Sequence, residues 1–271
     1  MRYLTLRNGV QIPIIGYGTA GLKGEQAYSC VKEAIQLGYR MIDTAHMYGN
    51  EKEVGRAIKD SQIPRNELFI VSKMDSRSNS YSKAKNQIEK SLLDLDLSYI
   101  DLYLIHEPYD ESNEMWKALE EAYNNGILKS IGISNFFGKR FTEFIRNCKI
   151  LPMVNQLETH IYLQRKQDQR ILNEKGIVLM SWSPLTGGKA DFFNDPILSE
   201  IGKKYNKTVA QIVLKYFTSR NVIVIPKTTK NVRMIENMNI FDFDLKDEDI
   251  NDIESLDKNE TLFPWTKEFE T

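Results

Sequence analysis

From Ile14 onward the chain alternates short apolar runs with longer stretches in which apolar residues recur every three or four positions. The short runs are Ile14-Ile15-Gly16, Tyr39-Arg40-Met41-Ile42, Leu68-Phe69-Ile70-Val71-Ser72, Asp101-Leu102-Tyr103-Leu104-Ile105 and Ser130-Ile131-Gly132-Ile133-Ser134. Met153-Val154-Asn155, Ile177-Val178-Leu179-Met180-Ser181-Trp182 and Val222-Ile223-Val224-Ile225 complete the set. Apolar on both faces, they read as strands of a parallel sheet covered on both sides. The longer stretches predict helices over Glu25–Leu37, Glu51–Lys59, Ser82–Leu95, Asn113–Asn124, Gly138–Asn147, Gln164–Glu174 and Ile197–Ser219, the last broken near Asn206. Three of them stop at a glycine, Gly38, Gly126 or Gly176, the usual chemistry of a helix end. Ahead of the alternation, Tyr3-Leu4-Thr5-Leu6 and Val10-Gln11-Ile12 flank Asn8-Gly9, a hairpin signal whose two turn positions favour positive φ. The pattern predicts one α/β domain over residues 1–271, with an N-terminal β-hairpin at 1–13 and a C-terminal helix and tail at 246–271.

Four polar residues stand at or just past the ends of these strands: Asp43 and Tyr48, Lys73, and His106. An acid, a phenol, a cation and an imidazole gathered at the carboxyl ends of parallel strands form a plausible proton-transfer site. Each alone has a plainer reading: a loop cap, partly buried packing, a surface lysine, a structural histidine. Their succession is what points to chemistry. Gly16-Tyr17-Gly18-Thr19-Ala20-Gly21 also fits a dinucleotide-binding glycine loop, with Asp43 about 20 residues on as the ribose acid. Such a loop should open straight into a helix, but Lys23-Gly24 intervenes before Glu25. Eight strands suit a closed (β/α)8 TIM barrel better than an open Rossmann sheet, which stays as the alternative.

Charge and cysteine usage narrow the function classes. With 36 basic and 37 acidic residues, the chain has no field that would draw nucleic acid or an anionic membrane. No apolar run approaches the roughly 20 residues of a membrane span, and Met1-Arg2-Tyr3-Leu4-Thr5-Leu6 lacks the pattern of a secretory leader. Cys30 and Cys148 have no metal-ligand spacing and fit free thiols in a reducing cytoplasm. Three histidines without pairing give no expected metal site, and His46 and His160 read as structural.

Gly38-Tyr39-Arg40-Met41-Ile42-Asp43-Thr44-Ala45-His46-Met47-Tyr48-Gly49-Asn50-Glu51, with Gly55 beyond, resembles the first signature of the aldo-keto reductases. Ile70-Val71-Ser72-Lys73 and Leu104-Ile105-His106-Glu107-Pro108 are similar to the family's lysine and histidine strands. Gly132-Ile133-Ser134-Asn135-Phe136 and Val154-Asn155-Gln156 resemble its nicotinamide strands, and Ile225-Pro226-Lys227-Thr228 with Arg233 and Glu236-Asn237 its phosphate and adenine segment. The matches run in family order from about Gly16 to Leu245.

The resemblance implies NADPH-dependent reduction of aldehydes and ketones by a monomer, with a small-molecule carbonyl substrate. Tyr48 would be the proton donor, Lys73 the cation that lowers its pKa, Asp43 the holder of Lys73, and His106 the donor that orients the carbonyl. Bringing a tyrosine from about 10 to near 7 takes roughly 4 kcal/mol, and a cation at about 4 Å supplies that order of energy at an effective dielectric near 20. Ser134, Asn135 and Gln156 would bind the nicotinamide carboxamide, and Trp182 would replace the family's stacking tyrosine. Ser183, Pro184 and Leu185 would line the pyrophosphate path, and Thr19 joins the expected cofactor contacts. Lys227, Thr228 and Arg233 would hold the 2′-phosphate of NADPH (or NADP+), and Glu236 and Asn237 would reach the adenine. Ala20, where many members carry a bulky aromatic, and Glu107, where many carry tryptophan, would border the substrate, with Phe263 and Trp265 closing over it or packing on the barrel. The short segment after Trp182 and the short tail imply an open pocket, as in bacterial-type members acting on small aldehydes, dicarbonyls or keto-sugars. A non-catalytic NADPH-binding member of the family is the other reading.

Overall fold

The computed structural model describes residues 1–269; Glu270 and Thr271, the end of the expected tail, lie outside the described residues. Strands β1 (Tyr3–Thr5) and β2 (Gln11–Pro13) form the antiparallel hairpin. Its turn differs from the expected two-residue form. Leu6 N–H donates to Val10 O and Gly9 N–H to Leu6 O, and only Gly9, at φ 85°, is left-handed. A type I turn closed by a left-handed glycine needs one permissive residue, so Asn8 keeps an ordinary φ. Its side chain instead donates to Lys129 O. With Arg2 donating to Thr218 O, that contact seats the hairpin near the amino ends of the strands that follow Lys129 and Thr218, away from their carboxyl ends.

The alternation that follows is β3 (Tyr17–Gly18), α1 (Gly24–Gln36), β4 (Met41–Asp43), α2 (Glu51–Asp60), β5 (Phe69–Met74), α3 (Tyr81–Leu95), β6 (Leu102–Ile105) and α4 (Ser112–Asn124). It continues through β7 (Ile131–Ser134), α5 (Gly138–Arg146), β8 (Val154–Glu158), α6 (Lys166–Glu174) and β9 (Val178–Trp182). Helices α7 (Pro196–Tyr205) and α8 (Val209–Ser219), strand β10 (Ile223–Val224), and helices α9 (Asn231–Met238) and α10 (Asp247–Glu254) complete it. Strands β3 to β10 pair in sequence order, all parallel. A parallel bridge between Ile15 and Val224 joins the two ends of this sheet, with Gly16 N–H donating to Val224 O and Gly18 N–H to Pro226 O. The result is a (β/α)8 barrel.

The first barrel strand lies at Tyr17–Gly18, just past the expected Ile14–Gly16, because Ile14 and Ile15 serve the closing seam. The glycine pattern serves that seam too. A Cβ on Gly18 would stand 2.9 Å from Ile225 O, and one on Gly16 would stand 2.5 Å from Met41 Cε. These glycines admit neighbouring strands rather than open a helix onto a pyrophosphate, which removes the Rossmann reading.

The expected break near Asn206 separates α7 from α8: Asn206 caps α7 in the left-handed region at φ 52°, and Thr208 with Gln211 forms a capping box for α8. Gly38, Gly126 and Gly176 follow their helices at positive φ, as expected. Helix α9 has no counterpart in the periodicity analysis. Met234 is buried and Met238 packs against the core, but Val232 and Ile235 are 76% and 54% exposed, so apolar residues fall on both faces and blur the stripe.

Candidate active site

The carboxyl ends of the strands hold the polar residues. Asp43 ends β4, Lys73 lies in β5, His106 follows β6, Ser134 ends β7, Gln156 lies in β8 and Trp182 ends β9. Tyr48 arrives on the loop after β4, in a single 3-10 turn (His46–Tyr48) stopped by left-handed Gly49. Lys73, wholly buried, donates from Nζ to Asp43 Oδ1 at 2.6 Å and to Thr44 O at 2.9 Å, and lies 3.4 Å from the Tyr48 hydroxyl. The His106 ring meets the Tyr48 ring edge-on, centroids 5.6 Å apart. The four residues expected to act together do come together.

The motif around Tyr48 also explains how the loop is held, which the residue types alone did not indicate. Asn50, fully buried, accepts from Thr44 Oγ1 at 2.7 Å and donates to Thr19 O and Leu22 O, tying the Tyr48 loop to the segment after β3. Glu51 accepts from Ser72 Oγ at 2.6 Å and pairs with His46 Nδ1 at 3.0 Å, tying the same loop to β5. Lys23 Nζ donates to Tyr48 O. His46, Glu51 and Asp94 bring potential metal ligands within 4.8 Å of one another. Glu51 is engaged as described and Asp94 pairs with Lys90, so the group reads as structural.

The electrostatics correct one expectation. Burial raises the Tyr48 phenol above its ordinary pKa; Lys73 opposes this, but Asp43 and Glu107 add to it, and the net shift is upward rather than toward neutrality. Asp43 at 2.6 Å cancels much of the field Lys73 would otherwise exert on the phenol. Burial also works against the Lys73 ammonium, and its attraction to Asp43 and Tyr48 outweighs that, so Lys73 stays charged. Burial first and Lys73 second push His106 down to about 3, leaving a neutral ring at physiological pH. His106 Nδ1 is buried without a partner. A ring proton there would be an orphaned donor, so the proton belongs on Nε2.

A cavity of about 780 Å³ opens over this cluster. Asp43, Tyr48 and His106 border it, as do Ser134, Asn135, Gln156 and Trp182, then Ser183, Pro184 and Leu185. Lys227, Thr228, Arg233, Glu236 and Asn237 line the same cavity, and Ala20, Glu107, Phe263 and Trp265 also face it. Lys73 lies beneath it. Thr19, expected to touch the cofactor, does not border it: the residue is fully buried, with its hydroxyl and N–H both donating to Asp43 O. The Gln156 amide, expected to face a nicotinamide, donates to Asp43 Oδ2 at 2.8 Å and to Met180 Sδ, while Ser134 Oγ donates to Gln156 O. Asn135, left-handed at φ 65°, donates to His106 O and accepts from Trp182 Nε1 at 2.8 Å. Trp182 stacks on Trp265 at 5.7 Å and meets Phe263 edge-on at 4.8 Å. Among the described residues neither Lys227 nor Arg233 has a carboxylate partner at ion-pair distance. Burial, with Asp75 and Glu268 nearby, holds the Glu107 carboxyl above the usual range.

A barrel with this ordered set of residues at its carboxyl ends invites comparison with known sequences, and the sequence model of the Aldo/keto reductase family matches residues 14–258. The chain belongs to that family. A glyoxal reductase of Bacillus subtilis is 42% identical over 261 residues, covering 96% of this chain and 94% of its own. An aldo-keto reductase from a Medee basin deep-sea metagenome library superposes with a TM-score of 0.94 at 41% identity, over 96% of this chain and 97% of that one. A Bombyx mori aldo-keto reductase, solved in complex with NADP, superposes at 0.91 with 31% identity, over 97% and 94%. In this aldo/keto reductase the cavity is lined by a phenol and an imidazole and, in the same cleft, by two cations, Lys227 and Arg233. That donor set fits a phosphorylated nicotinamide nucleotide with a carbonyl compound beside it.

Proposed function

We propose that this protein reduces small aldehydes and dicarbonyl compounds with NADPH, acting as a monomeric, one-domain cytoplasmic enzyme. The observation that carries the reading is the Asp43–Lys73–Tyr48 chain beside a neutral His106, all at the rim of one cavity. NADPH, when bound, supplies the hydride. The chain's own residues handle the oxygen. His106 donates from Nε2 to the carbonyl oxygen and fixes its direction, polarising it without a net charge. Tyr48 gives its hydroxyl proton to the same oxygen as negative charge builds there. Lys73 then stabilises the resulting phenolate, so its cation acts on the charged state formed in the reaction more than on the resting phenol. Asp43 keeps Lys73 charged and aimed. Ser134, Asn135 and Gln156 would exchange their present bonds for the carboxamide, while Lys227, Thr228 and Arg233 take the 2′-phosphate and Glu236 and Asn237 the adenine. The glyoxal reductase name of the Bacillus relative supports small dicarbonyls as substrates. Balanced charge and free Cys30 and Cys148 support the cytoplasmic reading. No helix among the described residues is long and apolar enough to cross a membrane.

A steady-state assay of NADPH oxidation with methylglyoxal, a nitrobenzaldehyde, glyceraldehyde and a keto-sugar, each repeated with NADH, tests the reading. Turnover with NADPH well above NADH is expected; tight NADPH binding without turnover on any of them would move the protein to the non-catalytic reading. Arg233→Ala should raise the KM for NADPH about 10–100-fold, the effect of one charge-assisted contact, and leave the KM for NADH unchanged. A parallel loss for both cofactors would remove Arg233 from phosphate binding. The pH dependence follows from the ionisations. Tyr48 must be protonated, and its raised pKa keeps it so through neutral pH, while His106 stays neutral down to about 3. Reductive kcat should therefore be flat from about pH 5 to 9, its basic limb falling only above an ordinary tyrosine's range. An acid limb near the ordinary histidine pKa would contradict the neutral His106.

A further inference from the structure

Glu158, the last residue of β8, is 1% exposed, yet it carries a carboxylate that none of the proposed chemistry uses. A buried carboxylate persists only where donors converge on it. Here they come from two places. His160 Nε2 lies 2.9 Å from Oε1. Tyr162 N–H donates to His160 Nδ1 at 3.3 Å, so the ring proton sits on Nε2 and points at Glu158. The remaining donors belong to the C-terminal tail: Thr261 Oγ1 donates to Oε2 at 2.5 Å, and Leu262 N–H donates to Oε1 at 2.9 Å. Thr266 Oγ1 lies 3.5 Å from Oε2 and 3.0 Å from Thr261 Oγ1. Burial alone would raise this carboxyl; the His160, Thr261 and Leu262 donors outweigh it and leave the pKa below the usual value.

What the latch holds is part of the cavity. Glu158 pairs with Trp182 across the β8–β9 ladder, so the anchor sits beside the indole on the neighbouring strand. From Leu262 the chain passes directly to Phe263, edge-on to Trp182, and then to Trp265, stacked on it at an interplanar angle of 12°. Both tail aromatics face the cavity that holds Tyr48 and His106. Trp265 is 44% exposed, so its own burial does little to hold it there. The tail's approach is tied as well, by Lys258 N–H donating to Tyr162 O at 3.0 Å.

We infer that Glu158, seated by His160, is a positioning residue that latches residues 261–266 to the barrel and so sets Phe263 and Trp265 as the apolar wall of the substrate cavity. The inference rests on the proposed carbonyl reduction for its kinetic consequence, not for the latch itself. A substrate large enough to lean on that wall, such as nitrobenzaldehyde, depends on the latch. Methylglyoxal, held by its carbonyl, does not.

Glu158→Gln keeps the shape and removes the charge; Thr261→Val removes one donor from the tail side and serves if the first variant folds poorly. Two readouts decide. Near-UV circular dichroism reports the Trp182–Trp265 pair, because close stacked indoles couple and Trp116, the third tryptophan, lies elsewhere under α5. The coupled signal should fall in either variant, as it should in the control Trp265→Phe. In kinetics, the KM for nitrobenzaldehyde should rise about tenfold, the scale of one lost charge-assisted hydrogen bond, with methylglyoxal turnover and NADPH affinity retained. Combining Glu158→Gln with Phe263→Ala and Trp265→Ala should add no further loss on nitrobenzaldehyde, since the wall is already gone. An unchanged dichroism signal, equal losses on both substrates, or full additivity with the tail substitutions would overturn the latch. If the unaltered protein reduces no carbonyl, the proposed function falls and the dichroism comparison alone decides the latch.

Discussion

Tyr48→Phe is expected to lower kcat for carbonyl reduction by about a thousandfold, within the range of 10²–10⁴ typical for a lost general acid, while NADPH binding stays intact. The ring remains to pack against His106, so only the hydroxyl near Lys73 is removed. Comparing kcat with the dissociation constant of NADPH, measured by quenching of protein fluorescence, separates chemistry from binding. Retained activity would take the proton-donor role from Tyr48. Unaltered NADPH binding in a protein that never turned over would instead favour the non-catalytic reading.

Asp43→Ala should be the most damaging single change to stability. Asp43 is 2% exposed and holds both the Lys73 ammonium and the Gln156 amide. Removing it leaves a buried cation without its counter-charge, a loss of about 3–5 kcal/mol. For a domain of this size that corresponds to roughly a 10 °C fall in Tm. Thermal unfolding followed by circular dichroism measures it. Activity should fall with stability, because Lys73, its partner gone, sheds its proton and no longer stabilises a Tyr48 phenolate. Asp43→Asn should recover part of the stability through its carbonyl oxygen but little activity. A Tm within a degree or two of the unaltered protein for Asp43→Ala would mean that water reaches Lys73 and that the pair is not dry.

The catalytic cluster was legible because parallel strands buried on both faces leave ionisable residues conspicuous at their ends. Asp43, Lys73 and His106 each interrupt an apolar run, and Tyr48 follows within a motif whose glycine and asparagine the structure uses to shape the loop. The seam of the barrel was less legible. Ile14 and Ile15 look like a strand because they are buried, but the ladder with β4 runs through Tyr17 and Gly18. Helix α9 was hidden because exposed Val232 and Ile235 mask buried Met234 and half-buried Met238 in the apolar pattern. Thr19 was misread for another reason: a hydroxyl just past a strand can face a ligand or turn back, and Thr19 turns back to Asp43 O. The direction of the Tyr48 shift depends first on burial of the phenol and then on Asp43 lying so near Lys73, neither of which sequence order encodes. Glu158 gave only the pattern Glu-Thr-His, and its partners lie about a hundred residues later, at Thr261 and Leu262.

In the proposed reaction, hydride reaches a carbonyl carbon in the cavity above Tyr48. The most direct test supplies NADPH deuterated at the transferring position of the nicotinamide, with methylglyoxal as acceptor, and reads the alcohol product by mass spectrometry. One deuterium is expected on the carbon that was the carbonyl, in product formed by the unaltered protein and nearly abolished in Tyr48→Phe. Product without deuterium, or equal deuterium transfer in Tyr48→Phe, would contradict the proposed reaction.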